Sequence, residues 1–311
     1  MSVLFKAVSV AIFAVVLIGC TAAEKKHRNL LEKQSAKEVK TVYRVTDPLL
    51  KERILGLNPE EISEEDVKEI LSKVPAPRII NLHGSIPIVT MEPFVRFLIA
   101  MGYPEAMLRH PESGDYSSGS FGSSKKLAGI VAWLYEREGM MPILIGHSQG
   151  GMMVVRVLHE LAGGFDEKVS VWNPIAGEEM ERYSIIDPLT GHERPVVGLR
   201  LEFASAIGTG RLMRLFMGQW DMLRLLRRIP DSVKEFAGFH IRYDMVGVDL
   251  PGLHHYYPLG SAVVQNIELP SGLHIATPVT EHLAKNTATR EWINRYVPSK
   301  QGADLPFGWR R

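Results

Sequence analysis

The sequence predicts an α/β domain with a mainly parallel central sheet, helices on both faces and a helical cap insertion. Three observations support this prediction. The 311-residue chain alternates short apolar runs with helical patterns, which is the order that a parallel sheet requires. One apolar run, Met141–Ile145, leads directly into the glycine-flanked segment Gly146–Gly151. A helical pattern over Met152–Leu161 follows and ends at Gly163, so strand, sharp turn and helix are predicted in immediate succession.

The segment Gly146–Gly151 reads Gly-His-Ser-Gln-Gly-Gly and contains the pattern G-x-S-x-G around Ser148. In this pattern the outer glycines let the strand and the helix approach closely and hold the serine in a strained, exposed turn. The helix that follows points its N-terminal amides toward developing negative charge. We therefore predict that Ser148 is a nucleophile and that the amide of Gln149 donates to an oxyanion.

A second oxyanion donor is predicted in the loop after an earlier strand. Pro77–Leu82 is a short apolar run typical of a buried strand, and it ends at His83-Gly84-Ser85. Gly84 would let the backbone approach a substrate, and the amide of Ser85 would be the second donor. Helices are predicted after this loop, over Met91–Met101 and Lys125–Glu138.

Beyond the serine, Val169–Trp172 is predicted to form the next strand, with its exit loop at Asn173–Gly177. With the His-Gly loop, the GHSQGG turn and this strand ending in x-P-x-x-G, the chain resembles the α/β-hydrolase lipases and esterases over roughly residues 75–297. The resemblance implies the α/β-hydrolase fold, a catalytic order of serine, acid and histidine along the chain, and chemistry that needs no metal or organic cofactor.

The acid of such a triad is expected directly after a strand. Phe239–Tyr243 alternates as a strand does and is followed by Asp244-Met245-Val246, which matches the D-x-V turn of the family's acid loop. Asp244 is therefore the predicted acid, and Asp249, which follows three residues after that turn, is the alternative.

The histidine of the triad is expected after the last strand, predicted at Asn266–Leu269. His274 lies on the loop that follows, where the family keeps its histidine. His282 is the rival, because its spacing to the closing helix predicted over Thr289–Val297 also resembles the family. However, His282 falls inside a helix that begins near Thr277, where a histidine is more often packed or solvated. The remaining alternatives are His254 and His255.

The first residues read as a targeting signal. Lys6 precedes the apolar run Ala7–Ile18, which is too short to span a bilayer comfortably. The run stops at Leu-Ile-Gly-Cys, which resembles the lipobox of bacterial lipoproteins, and Cys20 is the chain's only cysteine. The prediction is a lipoprotein signal peptide over residues 1–19, an acylated tether over residues 20–40 and the α/β domain over residues 41–311.

This leader implies a bacterial cell envelope protein anchored by acyl chains on Cys20, since two or more chains anchor stably. By resemblance to Gram-negative sorting, Thr21 in place of aspartate favours the outer membrane.

Residues from about 178 to 236 form an interval too long for one crossover connection, so a cap insertion is predicted there. Within it, Arg211–Arg228 has a broad apolar face and a narrow polar stripe. A helix of this kind either packs on the sheet or acts as a lid over an apolar acyl pocket. The lid interpretation predicts a lipid or medium-chain ester as substrate. The polar stripe comprises Arg211, Arg214, Asp221 and Arg228.

Composition removes other classes of function. The net charge of +1 provides no general attraction to nucleic acid, and one cysteine excludes an internal disulfide and a cysteine-rich metal site. No H-E-x-x-H motif occurs. The predicted function is a membrane-tethered carboxylic-ester hydrolase that acts on a small-molecule or lipid ester, without an obligate protein partner. An acyltransferase or thioesterase with the same triad, or an inert surface lipoprotein with a hydrolase fold, are the alternatives.

Overall fold

The computed structural model describes residues 47–57, 63–86, 89–100, 103–211, 214, 217–242, 244 and 254–269. Every described residue belongs to one unit of the chain, Val42–Arg311. The predicted signal peptide and tether lie outside the described residues, as do four candidate side chains. These four are Cys20, Asp249, His274 and His282.

The described residues form helices α1 to α6 and strands β1 to β11, with short 3₁₀ helices at Leu71–Lys73 and Glu105–Leu108. The helices are α1 (Pro48–Gly56), α2 (Glu64–Glu69), α3 (Glu92–Ala100), α4 (Ser124–Glu138), α5 (Gln149–Leu161) and α6 (Trp220–Leu225). The strands are β1 (Ile79–Leu82), β2 (Ile143–His147), β3 (Trp172–Asn173), β4 (Glu178–Glu179), β5 (Ser184–Ile186), β6 (Glu193–Pro195), β7 (Leu201–Ile207), β8 (Arg228–Ile229), β9 (Val233–Ile241), β10 (Tyr257–Pro258) and β11 (Val263–Leu269).

The central sheet has five strands in the order β1-β2-β7-β9-β11, and every neighbouring pair is parallel. In the register, Ile79 is opposite Ile143, and Leu144 is opposite Ala204. All five strands therefore end at the same edge of the sheet. The predicted α/β class, with a parallel central sheet and helices on both faces, is confirmed.

Both faces of this sheet are covered. Successive side chains of a strand point to opposite sides, so each strand contributes side chains to both faces. Ile80 and Leu144 pack on the side that holds α4 and α5. Ile79, Ile143 and Ile145 pack on the other side, against α3. The short strands β1 and β2 are mostly apolar because each is buried on both faces.

The helices begin and end where the local chemistry requires it. Ser123 caps α4, since its Oγ accepts a hydrogen bond from the amide of Lys126 at 3.2 Å. Gly139 ends α4 with φ of 73°, a left-handed conformation that glycine adopts without cost. The predicted helix over Lys125–Glu138 is therefore confirmed, and the one over Met91–Met101 corresponds to α3.

The strand predicted at Val169–Trp172 is not the next strand of the central sheet. β3 pairs antiparallel with β4 outside that sheet, and β7 is the strand beside β2. Val169 and Val171 are fully buried, but they belong to the core formed by α4 and α5. The apolar pattern of this run thus reflects packing on helices, which periodicity cannot distinguish from a buried strand.

The cap predicted over residues 178–236 is not one insertion, because β7 and the start of β9 lie inside it. The long helix predicted over Arg211–Arg228 is also wrong. Only α6 is helical over the described residues 217–228, Gly218 turns the chain with φ of 67°, and Arg228 begins β8. A left-handed glycine between Met217 and α6 interrupts any continuous amphipathic helix.

Within the part of the chain that the structure describes, every helix is too short or too polar to cross a lipid bilayer.

Candidate active site

Ser148 occupies the turn between β2 and α5 in a strained conformation. Its φ is 53° and its ψ is −115°, and it is the only described residue besides glycine with a positive φ. Such a backbone costs about 1–3 kcal/mol and persists only where the surroundings impose it. Here the amide of Ser148 donates to the carbonyl of Ile207 at 2.8 Å, and its carbonyl accepts from Gly151 at 3.1 Å. The residue remains partly exposed.

Two glycines of the motif allow the close approach of strand and helix. A Cβ added at Gly146 would lie 2.2 Å from the carbonyl oxygen of Gly150, and one added at Gly150 would lie 2.1 Å from that of Leu82. Both distances are far below van der Waals contact, so only glycine fits at either position. The turn that carries Ser148 is therefore pressed against the ends of both β1 and β2.

The loop after β1 lies directly against Ser148. A Cβ added at Gly84 would be 3.0 Å from the Ser148 Cβ and 3.5 Å from its Oγ. Ser85, the predicted donor, is the next residue and is exposed. The imidazole Nδ1 of His83 lies 2.9 Å from the carbonyl oxygen of Gly84, which helps to fix the loop. The structure thus brings Gly84 and Ser148 together and places Ser85 one residue beyond.

The other predicted donor, Gln149, is the first residue of α5. The carbonyl of Ser148 is bonded to the amides of Gly151 and Met152. Helix geometry leaves the amides of Gln149 and Gly150 without an acceptor inside the helix. These amides and the positive end of the helix dipole lie beside Ser148, where they favour negative charge.

Arg214 is a buried residue of this region. It was predicted to lie on the narrow polar stripe of an amphipathic cap or lid helix, but it is only 2% exposed. Its Nη1 donates to the side-chain oxygen of Gln149 and, at 2.7 Å, to that of Gln219, while its Nε donates to the carbonyl of Gly210 at 3.2 Å. The guanidinium therefore holds the Gln149 side chain and adds a buried positive charge near the start of α5.

No sequence signal distinguishes Arg214 from the other arginines of its segment. Its role depends on Gln149, which is 65 residues away along the chain.

Asp244, the predicted acid, lies just beyond the end of β9. Its amide donates to the carbonyl of Ile241 at 3.2 Å, so it occupies a turn, and it is 9% exposed. Because the central strands are parallel, this turn lies at the same edge of the sheet as Ser148. The strand predicted at Phe239–Tyr243 corresponds to the end of β9, and the one at Asn266–Leu269 to the end of β11.

The alternative histidines at positions 254 and 255 form a cluster with His240 on β9. The ring centroids of His240 and His254 are 4.3 Å apart, as are those of His254 and His255. The His240 Nε2 also lies 3.3 Å from a carboxylate oxygen of Glu268. Burial, and secondly the charge of His254, lower the pKa of His240. Among the described residues, no group of three or more histidine, cysteine, aspartate or glutamate side chains is arranged to hold a metal ion.

Chemically, this arrangement suits attack by a serine on a carbonyl group. A partly exposed hydroxyl lies on a strained turn, next to helix amides and to a glycine loop from the neighbouring strand. These are the elements that stabilise the tetrahedral intermediate of acyl transfer.

Comparison with known proteins finds only weak similarities to solved structures. No family model and no curated protein matches the sequence. Among solved structures, an alpha-beta serine hydrolase homologue from Coxiella burnetii has 12% identity and a TM-score of 0.34, covering 72% of this chain and 88% of that one. The RedJ thioesterase from the prodiginine biosynthetic pathway of Streptomyces coelicolor has 15% identity and a TM-score of 0.29, covering 74% and 90%. Similarities this low carry no argument about fold or activity.

Proposed function

We propose that this chain is a serine hydrolase that cleaves ester bonds through an acyl-enzyme on Ser148. One observation supports the proposal above the others. Ser148 is held at a positive φ, at the start of a 13-residue helix and against Gly84 of the loop after β1. A solvated serine in an ordinary turn requires neither the strain nor the converging glycines.

In the proposed reaction, His274 takes the proton of the Ser148 hydroxyl while the Oγ attacks the ester carbonyl. Asp244 orients the imidazole and stabilises its charged form, and the amides of Ser85 and Gln149 stabilise the oxyanion. The proton passes to the departing alcohol. Water then attacks the acyl-enzyme by the same steps and releases the carboxylic acid.

The test of the nucleophile is labelling with a fluorophosphonate probe, which reacts with activated serines. We expect the native chain to be labelled and Ser148→Ala to be unlabelled. Ser261→Ala is the matched control, because Ser261 is an exposed serine whose amide keeps its bond to Asp231. Labelling that persists in Ser148→Ala, or that is absent from the native chain, would contradict the proposal.

The acid and the base are tested by paired variants. His274→Ala and Asp244→Asn should each lower the labelling rate by at least about 10³-fold, as loss of a triad member does. His282→Ala and Asp249→Asn should leave the labelling rate within about threefold of the native rate. The reverse pattern in either pair would transfer the role to the alternative residue.

We also propose that acyl chains on Cys20 anchor the enzyme to a bacterial membrane. In a Gram-negative cell, this would be the outer membrane. The support is the apolar run that ends at the chain's only cysteine. Cys20→Ala should abolish the incorporation of labelled palmitate and release the protein from the membrane fraction. Undiminished incorporation would refute the anchor and leave the proposed chemistry intact. The lipid or medium-chain acyl group stays a prediction, which a series of esters of increasing chain length would test.

A further inference from the structure

The loop after β1 contains an imidazole that is bonded to the backbone of the next residue. His83 follows β1 directly, and its Nδ1 lies 2.9 Å from the carbonyl oxygen of Gly84. A ring nitrogen this close to a carbonyl oxygen must carry the hydrogen, since two lone pairs would otherwise face each other. The Nδ1–H of His83 therefore donates to the Gly84 carbonyl.

This hydrogen bond also fixes the amide of Ser85. The Gly84 carbonyl and the Ser85 amide belong to the same peptide unit, which is planar and trans. In such a unit the C=O and the N–H point in opposite directions. Because His83 holds the carbonyl, it also sets the direction of the Ser85 N–H, which the proposed mechanism assigns to the oxyanion.

The surroundings of this peptide unit make such a clamp necessary. Gly84 has no side chain that restricts its backbone rotation. Ser85 and Ile86 are exposed, so packing on the protein does little to orient the peptide between Gly84 and Ser85. The direction of the Ser85 amide therefore depends on a specific bond to this peptide unit.

His83 itself is held firmly enough to act as the clamp. Its amide donates to the carbonyl of Ser118 at 3.0 Å, and the Ser118 amide donates to the carbonyl of Asn81 at 2.8 Å. A Cβ added at Gly119 would lie 3.8 Å from the His83 Nε2, so the ring lies close to this neighbouring segment. The backbone of His83 is thus fixed on both sides of the end of β1.

The bond to His83 also affects the strength of the donor. A carbonyl that accepts a hydrogen bond draws electrons from the nitrogen of its peptide unit, and the N–H of that unit then donates more strongly. An oxyanion forms only during the reaction, so this gain stabilises the tetrahedral intermediate more than the bound ester.

We propose that His83 is a positioning residue of the oxyanion site: its Nδ1–H orients and polarises the peptide unit whose N–H, on Ser85, donates to the oxyanion. The inference rests on the proposed function of Ser148. His83 acts only through this peptide unit and exchanges no proton with the substrate.

The test compares variants of His83 that differ in where a donor lies. His83→Asn keeps an N–H donor one bond from Cγ, where the imidazole has Nδ1, whereas His83→Gln moves its amide one bond further, to the position of Nε2. His83→Leu has no donor. We expect His83→Asn to keep the hydrolysis rate of p-nitrophenyl butyrate within about fivefold of native, and the other two variants to be slow.

The kinetic pattern distinguishes positioning from a merely structural role. Removal of an oxyanion donor costs about 10²–10³ in rate, and a misdirected donor keeps part of its effect. His83→Leu should therefore lower kcat and kcat/KM together by about 10- to 100-fold and leave KM within about threefold. It should weaken inhibition by propyl trifluoromethyl ketone by the same factor, because the adduct of this ketone with Ser148 Oγ carries the oxyanion.

His110→Leu is the matched control. His110 lines the same cavity as His83, but its Nδ1 accepts from the amide of Glu112 and has no part in the proposed site. This variant should keep the native kcat and the native affinity for the ketone. Thermal midpoints show which variants are folded, and the comparison of His83→Asn with His83→Gln decides the question if His83→Leu is not.

The outcomes separate the two proposals. Suppose that Ser148 is labelled by the fluorophosphonate and the native enzyme hydrolyses the ester. A native kcat in His83→Leu, a loss confined to KM, or equally slow Asn and Gln variants would then overturn the inference and leave the proposed function standing. If Ser148 is not labelled and the ester is not hydrolysed, the proposed function fails and the inference fails with it.

Discussion

Replacing Gly150 by alanine should disturb the active site and the fold together. Gly150 lies in the first turn of α5, where that helix meets the end of β1. The added Cβ would be 2.1 Å from the Leu82 carbonyl oxygen, 2.6 Å from the Leu82 carbonyl carbon and 2.9 Å from the carbonyl oxygen of His83. All three atoms belong to the backbone, so no side-chain rotation relieves the overlap.

The size of the effect follows from these distances. A carbon and an oxygen atom approach no closer than about 3.2 Å without repulsion, so the start of α5 must move away from β1 by about 1 Å. Overpacking of this kind typically costs about 1–3 kcal/mol of unfolding free energy. The same movement displaces Ser148 from Gly84, and a misplacement of about 1 Å can lower a reaction rate by about 10²-fold.

Urea unfolding and the rate of fluorophosphonate labelling measure the two effects. Gly56→Ala is the control, because a Cβ added at the end of α1 meets nothing within 4 Å. Gly56→Ala should leave the labelling rate unchanged. Its unfolding free energy should equal that of the native chain or exceed it by up to about 1 kcal/mol. If Gly150→Ala changes the unfolding free energy by less than about 0.5 kcal/mol and labels at the native rate, the close packing of α5 on β1 is refuted.

Three further predictions concern groups around the site and in the core. Glu138 accepts two hydrogen bonds from Arg78, at 2.9 and 2.6 Å, and both side chains are nearly buried. Glu138→Ala should therefore lower the unfolding free energy, measured in urea, by about 3 kcal/mol. A loss below about 1 kcal/mol would contradict a buried pair. Arg214→Met should lower the unfolding free energy by about 1–3 kcal/mol and slow the labelling of Ser148, because the buried oxygen of Gln149 loses its donor. An unchanged unfolding free energy together with an unchanged labelling rate would show that the guanidinium does not support the site. Burial lowers the pKa of three histidines. The unfolded chain therefore binds more protons than the folded chain below about pH 6.5. As a result, the unfolding free energy should fall as the pH decreases from about 6.5. A thermal midpoint that stays constant or rises between pH 7 and 5 would contradict that sign. These histidines are His110, His159 and His240.

Predictions that depended on contiguous residues agree best with the structure. The strand, the glycine-flanked turn and the helix around Ser148 lie within about twenty residues, and the structure has β2, a positive φ and α5 there. The strand at Pro77–Leu82 and the helices α3 and α4 were predicted from the same local signals. Each of these elements has a local signal in its own segment: apolar spacing for the strands, and apolar spacing with start and stop residues for the helices.

Predictions that depended on which surface a segment meets were less accurate. Val169–Trp172 has the apolar composition of a central strand, yet it lies outside the central sheet and packs on α4. The strand that does lie beside β2 is β7, in an interval predicted to form a cap. Burial makes both segments apolar, and composition does not record whether the neighbour is a helix or a strand.

The sequence by itself predicted the turn at Ser148, because its glycines lie between an apolar strand pattern and a helical pattern in one continuous segment. It also determined the class of fold, since strands that alternate with helices pair in parallel. Only the tertiary structure decided which strands are neighbours, that Gly84 lies against the serine, and that Arg214 is buried on Gln149. These features join residues that are distant along the chain, and the free energy of such contacts arises only when the sheet has brought their surfaces together.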